Sequence, residues 1–154
     1  MNIPEREYIF ASIFTLANRV QKLGDKLEDY MTIKQWMLIA VISKSENQAL
    51  TVSEAAEIIG SSHQNIKKMA VILEKQGFLT LTKHPQDRRA VVLSITDYCR
   101  AYFAERGAME EAFLSDLFQG LDEESMTGLF RGFLQLQTNI ERMEQQHLGG
   151  TDGK

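Results

Sequence analysis

The apolar residues at the start of the chain recur at alternating spacings of four and three residues. The series is Ile9, Ile13, Leu16, Val20, Leu23, Leu27 and Tyr30. A mean period of about 3.5 residues is typical of a helix that buries a narrow seam against another helix. Pro4 suits the first turn of such a helix, where a backbone N–H is not needed. We therefore predict a first helix over residues 4–30.

Three shorter helices with recognisable start and stop signals should follow. Thr32 and Thr51 each stand three residues before a Gln or a Glu, which is the spacing of a capping box, and Ser62 offers a third cap. Gly60 and Gly77 follow the apolar positions of the helices that start at Thr51 and Ser62, and glycine commonly ends a helix. The pattern predicts two short helices, joined by a Gly-Ser-Ser turn, after an apolar second helix.

The hydrophobic period changes after Gly77. Residues 78–82 alternate between apolar and polar side chains, and residues 91–95 do so in part. The segment 84–89 between them is polar and carries turn-forming residues at Pro85 and Asp87. We predict two strands joined by a charged loop. The segment 45–48, between the second and third helices, is a polar break.

Two further helices complete the prediction, the first starting near Thr96 and ending at Gly120. The last helix has its own seam, formed by Met126, Leu129, Phe133, Leu136, Ile140 and Met143. A chain this short offers little else for two seams to pack against, which favours a homodimer formed through the first and last helices. The alternative is that both seams pack within one chain.

Charge is distributed unevenly along the 154 residues. The whole chain is 44% hydrophobic and 25% charged and has a net charge of -4, which argues against a protein that coats DNA through a uniformly basic surface. Residues 61–90, the basic segment, nevertheless carry a net charge of +4. Its cations are Lys67, Lys68, Lys75, Lys83, Arg88 and Arg89. Either the segment attracts phosphate, or charges on a solvated surface cluster there by chance.

Two short helices joined by a turn and followed by a hairpin predict a mostly α (α+β) fold, a winged helix-turn-helix with long N- and C-terminal dimerisation helices. The second short helix would enter the major groove, where Gln and Asn pair with adenine and Lys approaches guanine or phosphate. The hairpin loop, or wing, would bring its arginines to the minor groove. The predicted DNA-binding residues are Ser62, His63, Gln64, Asn65, Lys67, Lys68, Arg88 and Arg89.

At two places the chain resembles the MarR-type transcriptional regulators. Residues 73–77 read Leu-Glu-Lys-Gln-Gly, similar to the element that ends the family's recognition helix. Residues 87–96 resemble the family's wing signature, Asp-x-Arg followed by an alternating strand and a Thr. The chain departs from the family pattern at three places, where it has Lys67-Lys68, His84 and Cys99.

The resemblance implies a homodimeric repressor on a pseudopalindromic double-stranded DNA operator, released by a small effector. It also implies that Arg89 enters the minor groove and that Asp87 braces the wing. The domain expected from it covers residues 1–146, with a winged-helix part at 32–96, dimerisation helices at 4–30 and 97–146, and a flexible tail at 147–154. The alternative is a winged-helix module that binds protein without specific DNA binding.

We expect neither a redox, a metal nor a catalytic site among the remaining candidate residues. Cys99 would be a redox sensor only with a lowered pKa, which the nearby Asp97 opposes, so we expect an inert thiol. His63, His84 and His147 are too scattered for a metal site. Without a nucleophile–base pair or a glycine-rich phosphate loop, we expect neither enzyme activity nor a cofactor.

The chain also offers a candidate effector site, and its composition bears on location. Tyr30, Met31, Trp36 and Met37 lie at the junction of the first two helices and would line either a ligand crevice or the core, so the ligand-binding residues stay open. No apolar run reaches the length of a membrane span, and the acidic N-terminus does not resemble a signal peptide. We expect a cytoplasmic protein without membrane contacts.

Overall fold

A computed structural model describes residues 3–27 and 30–148 of the chain. The helices are α1 (Glu5–Leu27), α2 (Ile33–Lys44), α3 (Val52–Ile59), α4 (His63–Lys75), α5 (Asp97–Leu117) and α6 (Glu123–Leu148). The strands are β1 (Ala49–Thr51), β2 (Leu79–Lys83) and β3 (Val91–Ile95). The predicted mostly α winged helix-turn-helix is confirmed by this order of elements.

The chain divides into two compact units, Met1–Glu105 and Arg106–Lys154. The first unit holds α1 to α4, the three strands and the beginning of α5, and the second holds the rest of α5 and α6. The predicted single domain at 1–146 stays a prediction. Helix α6 continues to Leu148, so the start of the predicted tail is helical, and residues 149–154 lie outside the described part.

The sheet contains a strand that the sequence pattern did not predict. Its order is β1-β3-β2, with both pairs antiparallel, and Leu50 of β1 lies opposite Leu93 of β3. The predicted polar break at 45–48 contains a 3-10 turn at Glu46–Gln48, which leads directly into β1. A strand of three residues is too short to show a hydrophobic period.

Both predicted capping boxes are present. The Thr32 hydroxyl accepts from the Gln35 N–H at 3.2 Å, and the Gln35 side chain accepts from the Thr32 N–H at 3.0 Å. In the second box, the Glu54 carboxylate accepts hydrogen bonds from the Thr51 N–H and hydroxyl. These bonds favour the ionised carboxylate and lower the pKa of Glu54.

The core lies in the winged-helix part and joins α2, α3, α4 and the sheet. Its fully buried large side chains are Leu38, Ile42, Val52, Ile66, Leu73, Leu79, Leu93 and Cys99. Helix α3 uses Val52, Ala55 and Ala56 for its inner face, whereas Ile58 is 60% exposed.

The terminal helices expose their apolar residues. Helix α1 ends at Leu27, before the predicted end at 30, and residues 28 and 29 lie outside the described part. Its one buried residue is Gly24, where an added Cβ would come within 2.6 Å of Ile33 of α2. Among the described helices, none combines the length and the apolar composition that crossing a membrane requires.

Candidate nucleic-acid interface

Helix α4 has a buried side and a polar side. Ile66, Ala70 and Leu73 are buried. The predicted DNA-binding residues of the helix are all exposed, namely His63, Gln64, Asn65, Lys67 and Lys68. Ser62 is the N-cap, and its hydroxyl accepts from the Asn65 N–H at 3.2 Å. The Ser62 oxygen is therefore used as an acceptor within the helix, whereas its O–H is left to donate to a partner outside it.

The polar residues of α4 do not all share one side of the helix. At 3.6 residues per turn, Gln64, Lys68 and Lys75 lie opposite the buried residues, whereas His63 and Lys67 lie toward one flank. Asn65 lies toward the other flank. Lys75 was counted in the charge of the basic segment but was not predicted as a DNA-binding residue, although its spacing of seven from Lys68 indicates the same face.

The wing ends in a tight turn that presents two arginines. The Ala90 N–H donates to the Asp87 carbonyl at 3.0 Å, so Arg88 and Arg89 are the central residues of a β-turn, and both are exposed. The Asp87 carboxylate accepts from the Arg89 N–H, also at 3.0 Å. Asp87 thus fixes the backbone that carries the two cations.

The base of the wing loop is closed by His84, the residue that stands where the family commonly has an acid. Its N–H donates to the Ala90 carbonyl at 3.0 Å. Its Nδ1 accepts from the Gln86 N–H at 3.1 Å, which assigns the ring proton to Nε2 in this arrangement. The loop is therefore held at both its base and its tip.

The two motifs that carry the family resemblance meet at the end of α4. The Phe78 N–H donates to the Leu73 carbonyl at 2.9 Å and the Gly77 N–H to the Glu74 carbonyl at 3.0 Å, a Schellman motif that requires the positive φ of 87° at Gly77. The Thr96 hydroxyl donates to the Gly77 carbonyl at 2.6 Å. The same hydroxyl accepts from the Cys99 N–H at 3.1 Å and so caps α5.

The cations of the basic segment are available to solvent. All six are exposed, and none of them takes part in the ion pairs Arg6–Glu7 and Arg100–Asp97. The basic segment can therefore offer its charge to an anionic partner without first breaking an ion pair.

Cys99 is built into the core. It is 1% exposed, and burial raises the pKa of its thiol from 9.0 to about 11, although the Arg100 charge acts in the opposite direction. The cause is therefore burial, and not the neighbouring Asp97 that the sequence suggested. Because the thiolate is the reactive form, this geometry favours an inert thiol.

The four residues at the α1–α2 junction have different surroundings. Met31 belongs to the core and Trp36 packs against it, whereas Tyr30 and Met37 are exposed. The core interpretation therefore applies to Met31 and, in part, to Trp36. Within residues 3–27 and 30–148, His, Cys, Asp and Glu side chains do not gather in a group of three that could hold a metal ion.

Comparisons with known proteins agree with this geometry. The MarR family model matches residues 31–90. The transcriptional repressor MprA of Escherichia coli (strain K12) is 26% identical over 110 residues, which are 71% of this chain and 62% of MprA. The chain spans about half to three fifths of the length of several curated relatives that it matches.

Two solved structures share the fold over almost the whole chain. A MarR/EmrR family transcriptional regulator from Acinetobacter sp. ADP1 has a TM-score of 0.77 at 17% identity, covering 91% of this chain and 99% of that one. Sco3205 of Streptomyces coelicolor, a MarR family regulator solved in complex with DNA, has a TM-score of 0.72 at 16% identity, covering 99% and 92%. The matched residues 31–90 hold both the helix-turn-helix and the wing turn, so this part of the chain is similar to the MarR family of transcriptional regulators, and the two solved structures share its fold.

Proposed function

We propose that the chain is a transcriptional regulator that binds double-stranded DNA with sequence specificity, as a homodimer on a pseudopalindromic operator. One observation carries the proposal. The outward face of α4 and the tip of the wing, the two surfaces that a winged helix presents to DNA, both lie in the segment of net charge +4, in a chain of net charge -4. Coulomb attraction then acts where the shape fits the duplex.

The exposed side chains of α4 divide between recognition and attraction. Gln64 and Asn65 lie in the first turn and carry amides that can pair with adenine. Lys68 and Lys75 follow on the outward face as point charges for phosphate or guanine. The wing arginines complete the interface by entering the narrow minor groove, where the negative potential is strongest.

The homodimer is supported by apolar surface that one chain leaves exposed. Large apolar side chains are exposed along both α1 and α6, and a monomeric soluble protein rarely exposes so many together. They include the predicted seams, except for the half-buried Val20, and, in addition, Phe10, Phe14, Phe130 and Leu134. A two-fold dimer would place its two α4 helices in successive major grooves, about 10 base pairs apart.

The repressor role and the release by a small effector are further parts of the proposal. The repressor role is supported by the similarity to MprA, which is itself named a transcriptional repressor. The exposed Tyr30 and Met37 leave apolar surface at the α1–α2 junction of the winged-helix unit, which suits a small aromatic effector. An effector screen would read out loss of operator binding in the presence of each compound.

Selection of binding sites from random DNA tests the central proposal. We expect an enriched pseudopalindrome with half-sites about 10 base pairs apart. Affinity for it should fall steeply with salt, and Lys68→Ala should lower the salt slope by about one unit. Lys44→Ala, at an exposed position of α2 outside the basic segment, should leave the slope unchanged. No enrichment and no salt dependence would contradict the proposal.

The same measurements separate DNA binding from the protein-binding alternative. A winged helix that contacts only protein would tolerate a charge reversal on α4, so Lys67→Glu would not change its function. Arg89→Ala gives a second distinction, because it should lose affinity most at operators with an A·T-rich, narrow minor groove. Unchanged affinity and slope for this variant would remove the wing from the interface.

A further inference from the structure

The basic segment contains only two acidic residues, and each of them accepts a hydrogen bond from a backbone N–H. Asp87 does so inside the wing turn, as described above. Glu74, in the last turn of α4, accepts from the Leu81 N–H of β2 through Oε2, at 2.8 Å. The carboxylate thus joins the recognition helix to the wing strand across seven positions of the chain.

The strand that Glu74 contacts, β2, is one of the two outer strands of the sheet. Strand β2 pairs only with β3, and Leu81 lies opposite Leu93 in that pair. In an antiparallel pair, alternate residues direct their N–H away from the partner strand. Glu74 satisfies such an N–H with a charge-assisted hydrogen bond, which is stronger than a bond between neutral groups.

Simple electrostatics would not place a carboxylate at position 74. The C-terminal end of a helix carries negative partial charge, so an anion there is disfavoured. The surrounding segment is otherwise basic, and its proposed partner is a polyanion that a carboxylate repels. Both effects favour a neutral or basic side chain, so a structural role for Glu74 has to outweigh them.

The Glu74 contact adds a second attachment between helix and hairpin. The first lies at the base of the hairpin, where the Thr96 hydroxyl donates to the Gly77 carbonyl. Leu81 lies further along β2 toward the wing turn. The core, to which Leu73 of α4 and Leu79 of β2 both belong, already holds the base of the hairpin against α4. The Glu74 bond adds a restraint further along β2 and so limits the tilt of the end that carries the wing turn.

We infer that Glu74 is a positioning residue that fixes the wing relative to the recognition helix, so that α4 and the wing arginines engage one duplex together. The inference rests on the proposed DNA binding. Its consequence is that Glu74 favours the operator although its charge opposes DNA. Removing the hydrogen-bond acceptor, as distinct from removing the charge alone, should therefore weaken binding to the operator but not to random DNA.

Three full-length variants separate position from charge. Glu74→Gln removes the charge but keeps a side-chain oxygen that can accept from the Leu81 N–H, whereas Glu74→Ala removes both. Glu57→Ala removes one exposed carboxylate from α3, for which the structure gives no hydrogen bond, and so reports the effect of charge alone. Affinities are measured by fluorescence anisotropy on the selected operator and on random duplex DNA of equal length.

On the operator, we expect Glu74→Gln to bind at least as tightly as wild type, and Glu74→Ala to bind about 3- to 10-fold more weakly than Glu74→Gln. On random DNA, all three variants should bind at least as tightly as wild type, since each removes a negative charge. Equal operator affinity for Glu74→Ala and Glu74→Gln would overturn the inference.

Hydrogen exchange provides a readout that does not depend on DNA. The Leu81 amide should exchange faster in Glu74→Ala than in wild type and stay protected in Glu74→Gln, because only the alanine variant loses the acceptor. Unchanged Leu81 exchange in Glu74→Ala would also overturn the inference. If the wild-type protein selects no DNA sequence, the proposed function fails first, and the exchange data distinguish that outcome from a missing Glu74 contact.

Discussion

The winged-helix part and the terminal helices differ in how far they bury their apolar residues. The fifteen buried hydrophobic residues among those that the structure describes all lie from Met31 to Cys99, where α2, α3, α4 and the sheet enclose a core. Helix α6 contains no buried residue among those whose side chains are described, although it carries eight large apolar side chains that are exposed. One part buries its apolar surface within the chain, and the other leaves it available to a second chain.

This difference in burial indicates a separate role for each part of the chain. A closed core holds α4 and the wing in fixed positions, as recognition of one duplex requires. The exposed faces of α1 and α6 would be unfavourable in water unless a partner covers them. We therefore regard the winged-helix part as complete in one copy and the terminal helices as completed by a second copy.

The strongest test of this comparison places a charge in the proposed dimer face. Phe133 is 59% exposed and belongs to the α6 seam. Phe133→Glu should convert the dimer to a monomer, because a carboxylate in an apolar interface would be desolvated without a partner. Operator affinity should then fall by about 100-fold or more, since two linked sites become one. Sedimentation and operator titration measure the two effects.

A matched control uses the same helix. Gln135 lies two residues further, about 200° around α6, and Gln135→Glu introduces the same charge on the other side. It should change neither the sedimentation nor the affinity. If wild type sediments as a 17.5 kDa monomer at micromolar concentration, the apolar faces do not form a dimer and the comparison fails.

A second test compares leucine truncation in the two regions. Leu93 is fully buried at the centre of the sheet, so Leu93→Ala should lower the free energy of unfolding by about 2–5 kcal/mol. Leu129→Ala, in the α6 seam, should lower it by an amount that depends on protein concentration, because the contact it removes is between chains. Urea unfolding at two protein concentrations checks both. A concentration-independent loss for Leu129→Ala would contradict the proposed interface.

A third test concerns the attachment of the hairpin to α4. Thr96→Val removes the hydroxyl that bonds the Gly77 carbonyl and the Cys99 N–H and keeps the shape of the side chain. It should cost about 1–3 kcal/mol of unfolding free energy, because these partly buried groups lose their partner. Thr80→Val, at an exposed position of β2, should cost much less. Urea unfolding measures both, and equal costs would show that the Thr96 contacts add nothing.

The sequence predicted the elements that carry strong local signals. Thr32 and Thr51 form the expected capping boxes, Gly60 and Gly77 end their helices with positive φ, and the hairpin joins at the expected turn. These features depend on residues close together in the chain. The three-residue β1 was missed because its pairing with β3 depends on residues more than 40 positions away.

The sequence predicted which residues belong to the candidate site better than it predicted how they are arranged in space. The exposed residues of α4 and the wing turn lie where the patterns indicated, but the arrangement of α4 around its buried side had to come from the structure. The sequence showed Glu74 only as the second residue of the Leu-Glu-Lys-Gln-Gly motif at 73–77, without indicating its role. Its bond to Leu81 joins a helix to a strand, and no hydrophobic period reports such a contact.

Cys99 is the buried residue through which the start of α5 joins the core, and its reactivity should reflect this. It is buried, whereas Ala108 further along α5 is exposed. Thiol labelling at pH 8 should be slow for wild type and faster by about 100-fold or more for Ala108→Cys in a Cys99→Ala background, since two pKa units alone change the thiolate fraction by about that factor. Equal rates would place Cys99 at the surface.

The raised pKa of Cys99 also predicts a small loss of stability at high pH. Its thiol ionises near 9.0 when exposed and at about 11 when folded, so the unfolded chain releases its proton first. The stabilisation from the buried thiol is therefore complete below about pH 9 and is lost as the pH rises toward 11. The urea midpoint of wild type should fall more steeply over this range than that of Cys99→Ala, in which the other titrating groups are unchanged. Parallel pH profiles would show that the thiol is not buried in the folded protein, and that the core ends before α5.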